Sequence, residues 1–101
     1  MAAPHVQRCF LNVVTEDLAA CRRFYVDVLG FKVTFSSAWF VQVAAREQPL
    51  LELGFLKRGH AVVPAEAGGA PAGVVLTVAV PDVDTLHHRL QQRGDVPIVQ
   101  P

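Results

Sequence analysis

Residues Thr15–Val33 read TEDLAACRRFYVDVLGFKV, and this stretch decides the fold. Thr15 or Asp17 can cap a helix, since a short side-chain oxygen satisfies the first free backbone N–H groups. Glu16 and Asp17 suit the positive end of the helix dipole. Leu18, Cys21, Phe24, Tyr25, Val28 and Leu29 recur at three- and four-residue spacing and define one apolar face. Arg22, Arg23 and Asp27 fall opposite. Gly30 stops the helix, because glycine takes the left-handed conformation of a helix C-terminus cheaply. A strand follows at once, with Phe31, Val33 and Phe35 alternating against Lys32, Thr34 and Ser36.

Outward from this joint, the pattern repeats. Residues 6–14 (VQRCFLNVV) precede it as a β-branched and aromatic strand. After it, AWFVQVAA (38–45) and LLELGFL (50–56) read as two more strands, separated by the turn REQP. Residues 57–73 are rich in Gly, Pro and Ala and form a linker. VVLTVAV (74–80) then reads as a strand. PDVDTLHHRLQQRG (81–94) reads as a helix with Asp82 or Asp84 as cap, Val83, Leu86 and Leu90 as stripe and Gly94 as stop. VPIVQP (96–101) begins another strand. Strand, Asp-apolar cap, helix, Gly and strand thus occur twice, a weak internal repeat. The first copy is βαβββ and the second reaches βαβ, its remaining strands being expected beyond residue 101.

The chain has 101 residues, zero net charge and 51% apolar residues. That allows one small domain with a thin stability margin. With no basic surplus, nucleic acid and membrane surfaces are not indicated as partners. No apolar run suits a bilayer, and the start lacks a signal-peptide pattern. Cytoplasmic residence is the expectation, with Cys9 and Cys21 reduced.

The quoted stretch resembles the signature of the vicinal oxygen chelate superfamily, which includes glyoxalase I, bleomycin-resistance proteins and extradiol dioxygenases. Asp17-Leu18, Phe24-Tyr25 and Leu29-Gly30-Phe31 carry the likeness, and VAVPDVDTLHHRLQQRG resembles the same family's second module. The resemblance implies an α+β fold of paired βαβββ modules whose mixed sheet curls into a cup, with helices outside and ligand inside. In this chain that gives a single domain over 1–101, with module one at 5–56, a linker at 57–73 and an incomplete module two at 74–101. It also implies a homodimer. One fold of this kind carries many chemistries.

The family's metal enzymes place one ligand on each of four strands. Counting back from Asp17 puts the usual His at Phe10, and counting back from Asp82 puts it at Val75. Neither side chain can bind a cation. Glu52 in LLELGFL matches the carboxylate position, and the fourth position falls past residue 101. His87 and His88 point about 100° apart on a helix. His60 lies in the linker and His5 near the start.

If the first strand keeps period two, Phe10, Asn12 and Val14 face inward. In the second module Val75 and Thr77 do. Asn12 could orient a ligand or pair with a strand end. Glu52, with Leu50 and Gly54 on its face, could meet a cationic or hydroxylated ligand or act as a general base. Alternatively it lies at a strand end in water, or pairs with Arg58 or Arg46. Of Trp39 and Phe40, one faces the cup and one the helices, and an inward Trp39 would wall a flat ligand. The candidate ligand-binding residues are therefore Phe10, Asn12, Trp39, Glu52, Val75 and Thr77.

The favoured expectation is a metal-free small-molecule-binding protein of the bleomycin-resistance type, sequestering an antibiotic or metabolite without a cofactor. The alternative is a lyase, isomerase or dioxygenase using a divalent metal (Zn, Ni, Fe or Mn). A third reading is a module serving as an interaction domain, with a side-chain-filled cup.

Overall fold

The structure, a computed structural model, describes residues 5–94. It is α+β, with one open four-stranded mixed sheet and two helices. The strands are β1 (Leu11–Thr15), β2 (Lys32–Ser36), β3 (Phe40–Ala44) and β4 (Glu52–Lys57), in the order β1-β4-β3-β2. β1 runs parallel to β4, and the other two pairings are antiparallel. Helix α1 (Leu18–Arg23) continues into a π-helical segment, Phe24–Val28. A 3₁₀ turn occupies Ala65–Ala67, and α2 spans Val83–Arg93.

The two helices start alike. The Asp17 Oδ1 accepts the Ala20 N–H at 2.9 Å, and the Asp82 Oδ1 accepts the Thr85 N–H at 3.0 Å. Their backbones nearly coincide in torsion, at φ −132°, ψ 89° and φ −131°, ψ 91°. Past each helix lies a glycine with positive φ, 77° at Gly30 and 73° at Gly94. The repeat in the sequence is therefore a repeat in local geometry. At Gly30 any other residue adopts the left-handed region at a cost, so Gly30→Ala should lower unfolding stability by about 1 kcal/mol in urea titration.

The first helix departs from expectation in its last turns. Leu29 N–H donates to the Phe24 carbonyl at 3.3 Å, five residues back, and Phe31 N–H to the Tyr25 carbonyl at 2.9 Å. The wider turn shifts the phase of the apolar stripe. Leu18, Cys21, Tyr25 and Val26 lie against the sheet's core of Val41, Val43, Leu53 and Phe55, so Val26 joins the packed face in place of Phe24 and Leu29. Tyr25 sits 5.0 Å from the Phe55 ring and 5.8 Å from Phe31. Burial pushes its phenol up, with Cys21 a lesser influence.

Two other expectations change. Pairing shifts between Val33 and Phe35, so that Phe35 stands opposite Gln42. This bulge, with Thr34 as the extra residue, moves Phe35 off the core face. Phe35 is 53% exposed and lies 5.9 Å from Phe40. Residues 74–80, expected as a strand, join no ladder among the described residues. β-branched residues favour pleated backbone but supply no partner, and a strand exists only where a neighbour completes its hydrogen bonds. The strand expected over 96–101 lies outside the described residues. α2 touches the first module through Arg89, whose guanidinium donates to the Asp27 carbonyl at 3.1 Å.

Candidate ligand-binding site

Alternation along β3 and β4 sorts their side chains onto two faces. Val41, Val43, Leu53 and Phe55 turn toward α1 and form the core. Phe40, Gln42, Glu52 and Gly54 take the opposite, open face. On β1, Asn12 is the ladder partner of Gly54. An atom built as a Cβ on Gly54 would lie 2.1 Å from the Asn12 Oδ1 and 2.8 Å from Phe40. Asn12 and Phe40 therefore close over Gly54, and glycine is the residue that lets them. The inward face of β1 is the one that contains Asn12, since Val13 packs on the core.

Glu52 carries the polar chemistry of this face. Its side chain is 7% exposed. The Arg8 guanidinium grips it with two bonds, Nε to Oε2 at 2.8 Å and Nη2 to Oε1 at 2.6 Å. Gln42 Nε2 donates to Oε1 at 2.7 Å. The Arg8 hydrogen bond, aided by its charge and by Gln42, holds the Glu52 carboxyl below its ordinary value of 4.5 against the opposing effect of burial. A carboxyl with a depressed folded pKa stabilises the fold above its unfolded value and loses that contribution as pH falls through the folded one. Acid unfolding below about pH 4.5 should thus weaken in Glu52→Gln relative to wild type. Asp82, lowered by its Thr85 hydrogen bonds, titrates in the same window, so the difference between the two pH–stability curves isolates Glu52.

Arg58 and Arg46 do not serve Glu52. Arg58 pairs with Glu16 instead. Arg8, two residues before Phe10 in the sequence, is the partner that parity along 8, 10 and 12 could have shown. It comes from a segment, residues 5–10, that belongs to no strand. Its guanidinium carbon lies 4.9 Å from the centre of the Phe10 ring.

Beside this ion pair opens a cleft of about 730 Å³. Phe10, Leu29, Phe31, Leu50–Leu53 and Leu76–Val80 line it, with Cys9, Glu52 and Thr77 as its polar or titratable side chains. Three expected residues, Phe10, Glu52 and Thr77, therefore meet at one cavity. Asn12 borders a second, about 360 Å³, between β1 and the linker near Glu66. Val75 lines neither and is 89% exposed. Trp39 also lies apart. Its ring stacks on His60 at 4.5 Å and 13°, while Phe40 takes the open face.

The family's metal asks for several converging donors. Among the described residues no group of three His, Cys, Asp or Glu side chains comes together. Both Glu52 oxygens are already engaged, by Arg8 and Gln42. Phe10 and Val75 have no lone pair to offer. The described residues do not fit the metal.

A model of the glyoxalase/bleomycin resistance protein/dioxygenase superfamily matches residues 3–101. The chain belongs to that superfamily. Solved structures agree on the fold. An integron cassette protein from the mobile metagenome of V. cholerae superposes with a TM-score of 0.67 at 15% identity, over 93% of this chain and 72% of its own. A glyoxalase/bleomycin resistance protein/dioxygenase from Nocardioides gives 0.60 at 27% identity, over 92% of this chain and 65% of its own. The bleomycin-binding protein of Streptomyces verticillus, solved with copper(II)-bleomycin, gives 0.56 at 20% identity, over 89% and 66%. No curated protein matches the sequence.

Proposed function

We propose that this chain binds a small molecule without a metal and sequesters it, as a member of the bleomycin-resistance branch of its superfamily would. The observation that carries this reading is the cleft. Its volume of about 730 Å³ falls within the range of ligand pockets, roughly 300–1,000 Å³, and its wall is mostly apolar with few polar groups, as such pockets are. The occupied Glu52 carboxylate supports it, since a group spent on Arg8 and Gln42 is poorly placed to ligate a metal or abstract a proton. The S. verticillus neighbour, solved with copper(II)-bleomycin, makes bleomycin-like antibiotics the first ligands to try.

The full chain is assayed for bound metal and then screened by thermal shift against aromatic and cationic antibiotics. A ligand at a hundred times its Kd should add about 2.7 kcal/mol. Stoichiometric Zn, Ni, Fe or Mn, with glyoxalase or dioxygenase turnover, overturns the reading, as does a flat response across the panel.

A homodimer is part of the same proposal. Val74, Val75 and Leu76 are 61%, 89% and 48% exposed, a concentration of apolar surface that a second copy would cover. Sedimentation equilibrium should show a dimer that Val75→Asp shifts toward monomer. Cytoplasmic residence also belongs here, supported by two unpaired cysteines, which suit a reducing compartment.

A further inference from the structure

We infer that Glu52 and Gln42, with Phe10 beside them, form a receptor for a guanidinium group, that the chain's own Arg8 fills it, and that a guanidinium- or amidinium-bearing ligand competes with Arg8 for it. The inference rests on the reading that the adjoining cleft takes a small molecule, and it names that ligand's chemical class.

The receptor and its occupant belong to different parts of the molecule. Glu52 and Gln42 stand on adjacent antiparallel strands, in the pairs Ala44–Glu52 and Gln42–Gly54. The ladder fixes their backbones, and the Glu52 side chain is 7% exposed. Arg8 is 54% exposed and hangs from a segment outside every strand. A fixed, buried carboxylate thus faces a tethered, half-exposed cation.

Its shape selects guanidinium over a simple ammonium. Two parallel bonds, at 2.8 and 2.6 Å, match the planar fork of a guanidinium, which an ammonium cannot reproduce. The Phe10 ring, 4.9 Å from the guanidinium carbon, offers its electron-rich face to a delocalised cation. Gln42 donates at 2.7 Å to Oε1, the oxygen that Arg8 Nη2 also engages, and so helps to hold the carboxylate in place. Glu52 and Phe10 also line the large cleft, whose further wall includes Leu50, Leu51 and Leu76. A ligand that displaces Arg8 would place its cationic head on Glu52 and an apolar body among these leucines.

Arg8 then sets the threshold for entry. A short tether holds its group at an effective concentration in the millimolar range. A free guanidinium compound must exceed that competition, and removal of Arg8 leaves a buried carboxylate without its cation. The test is calorimetric titration of the full chain with phenethylguanidine, phenethylamine and the neutral isostere phenethylurea. Arg8→Gln should bind phenethylguanidine at least about tenfold more tightly than wild type, the competing tether being gone. Phenethylamine should gain less and phenethylurea nothing. Adding Glu52→Gln to Arg8→Gln should abolish the gain. The side-chain amide resonance of Gln42 should move during the guanidine titration, which reports the site in any variant that stays folded. If Arg8→Gln does not fold, the same resonance is followed in wild type at higher phenethylguanidine, where its movement supports the receptor and its constancy refutes it. Equal binding of the urea, no gain on removing Arg8, or a gain that survives Glu52→Gln overturns the inference. An antibiotic that stabilises the wild-type chain while Arg8→Gln gains nothing for guanidines would leave the sequestering function standing and remove only this assignment.

Discussion

Phe55→Ala is expected to lower unfolding stability by about 3–5 kcal/mol, the usual range for emptying a buried phenylalanine site. Phe55 is 1% exposed and, with Val43, the largest fully buried side chain among the described residues. It joins strand to helix. Its neighbours in the core are Val41, Val43 and Leu53 from the sheet, and the Tyr25 ring of the π-helical segment stands 5.0 Å away. Removing the ring leaves a cavity between the helix layer and the sheet, beside the Tyr25 ring. Small domains sit near the lower end of the common 5–15 kcal/mol range, so the variant should be largely unfolded at modest temperature. Phe55→Leu, which keeps most of the volume, should cost under about 1.5 kcal/mol. Urea titration followed by circular dichroism measures both. A loss below about 1 kcal/mol for Phe55→Ala would show that the helix layer does not depend on this contact.

The parts of the fold that could be read from the sequence are those made by local interactions. The Asp17 cap involves residues three apart, and the Gly30 turn closes within six, so both announce themselves in TEDLAACRRFYVDVLGFKV. The same holds for Asp82 and Gly94. The open-face position of Glu52 and Asn12 was also readable, because alternation along a strand is a property of the strand alone. Non-local features were not. The bulge at Thr34 depends on how β2 meets β3, and no residue within β2 declares it. That 74–80 join no ladder among the described residues has the same origin, since propensity describes the segment and a ladder requires its neighbour. Arg8 and Glu52 are 44 residues apart. Their meeting follows from the parallel course of β1 beside β4, in which Leu11 pairs with Leu53 and Asn12 with Gly54. Once that register is known, Arg8 three residues before Leu11 and Glu52 one before Leu53 fall at the same end of the sheet.

Gly54→Ala should destabilise the chain by about 1–3 kcal/mol, as overpacking of a closed site does, although alanine is chemically the mildest change available there. Gly54 is buried, and its backbone is ordinary strand, so torsional freedom is not the reason it is glycine. The reason is approach. The new methyl would lie 2.1 Å from the Asn12 Oδ1, and 2.8 and 3.2 Å from the Phe40 ring. Asn12 is exposed and can rotate away; the Phe40 ring rests against Phe35 and Trp39, at 5.9 and 5.8 Å, and yields less readily. This predicts a coupling. Asn12→Ala alone removes only a solvent-facing amide and should change stability within about 0.5 kcal/mol. Combined with Gly54→Ala it should recover part of the loss, with an interaction energy of about 0.5–2 kcal/mol, because the two residues are in contact. The Phe40 clash should remain, and Phe40→Leu in the same background should recover more. Four urea titrations complete the first cycle. If the costs of Asn12→Ala and Gly54→Ala simply add, Asn12 does not close over Gly54, and the open face is roomier at its centre than the ladder pairing of these two residues implies.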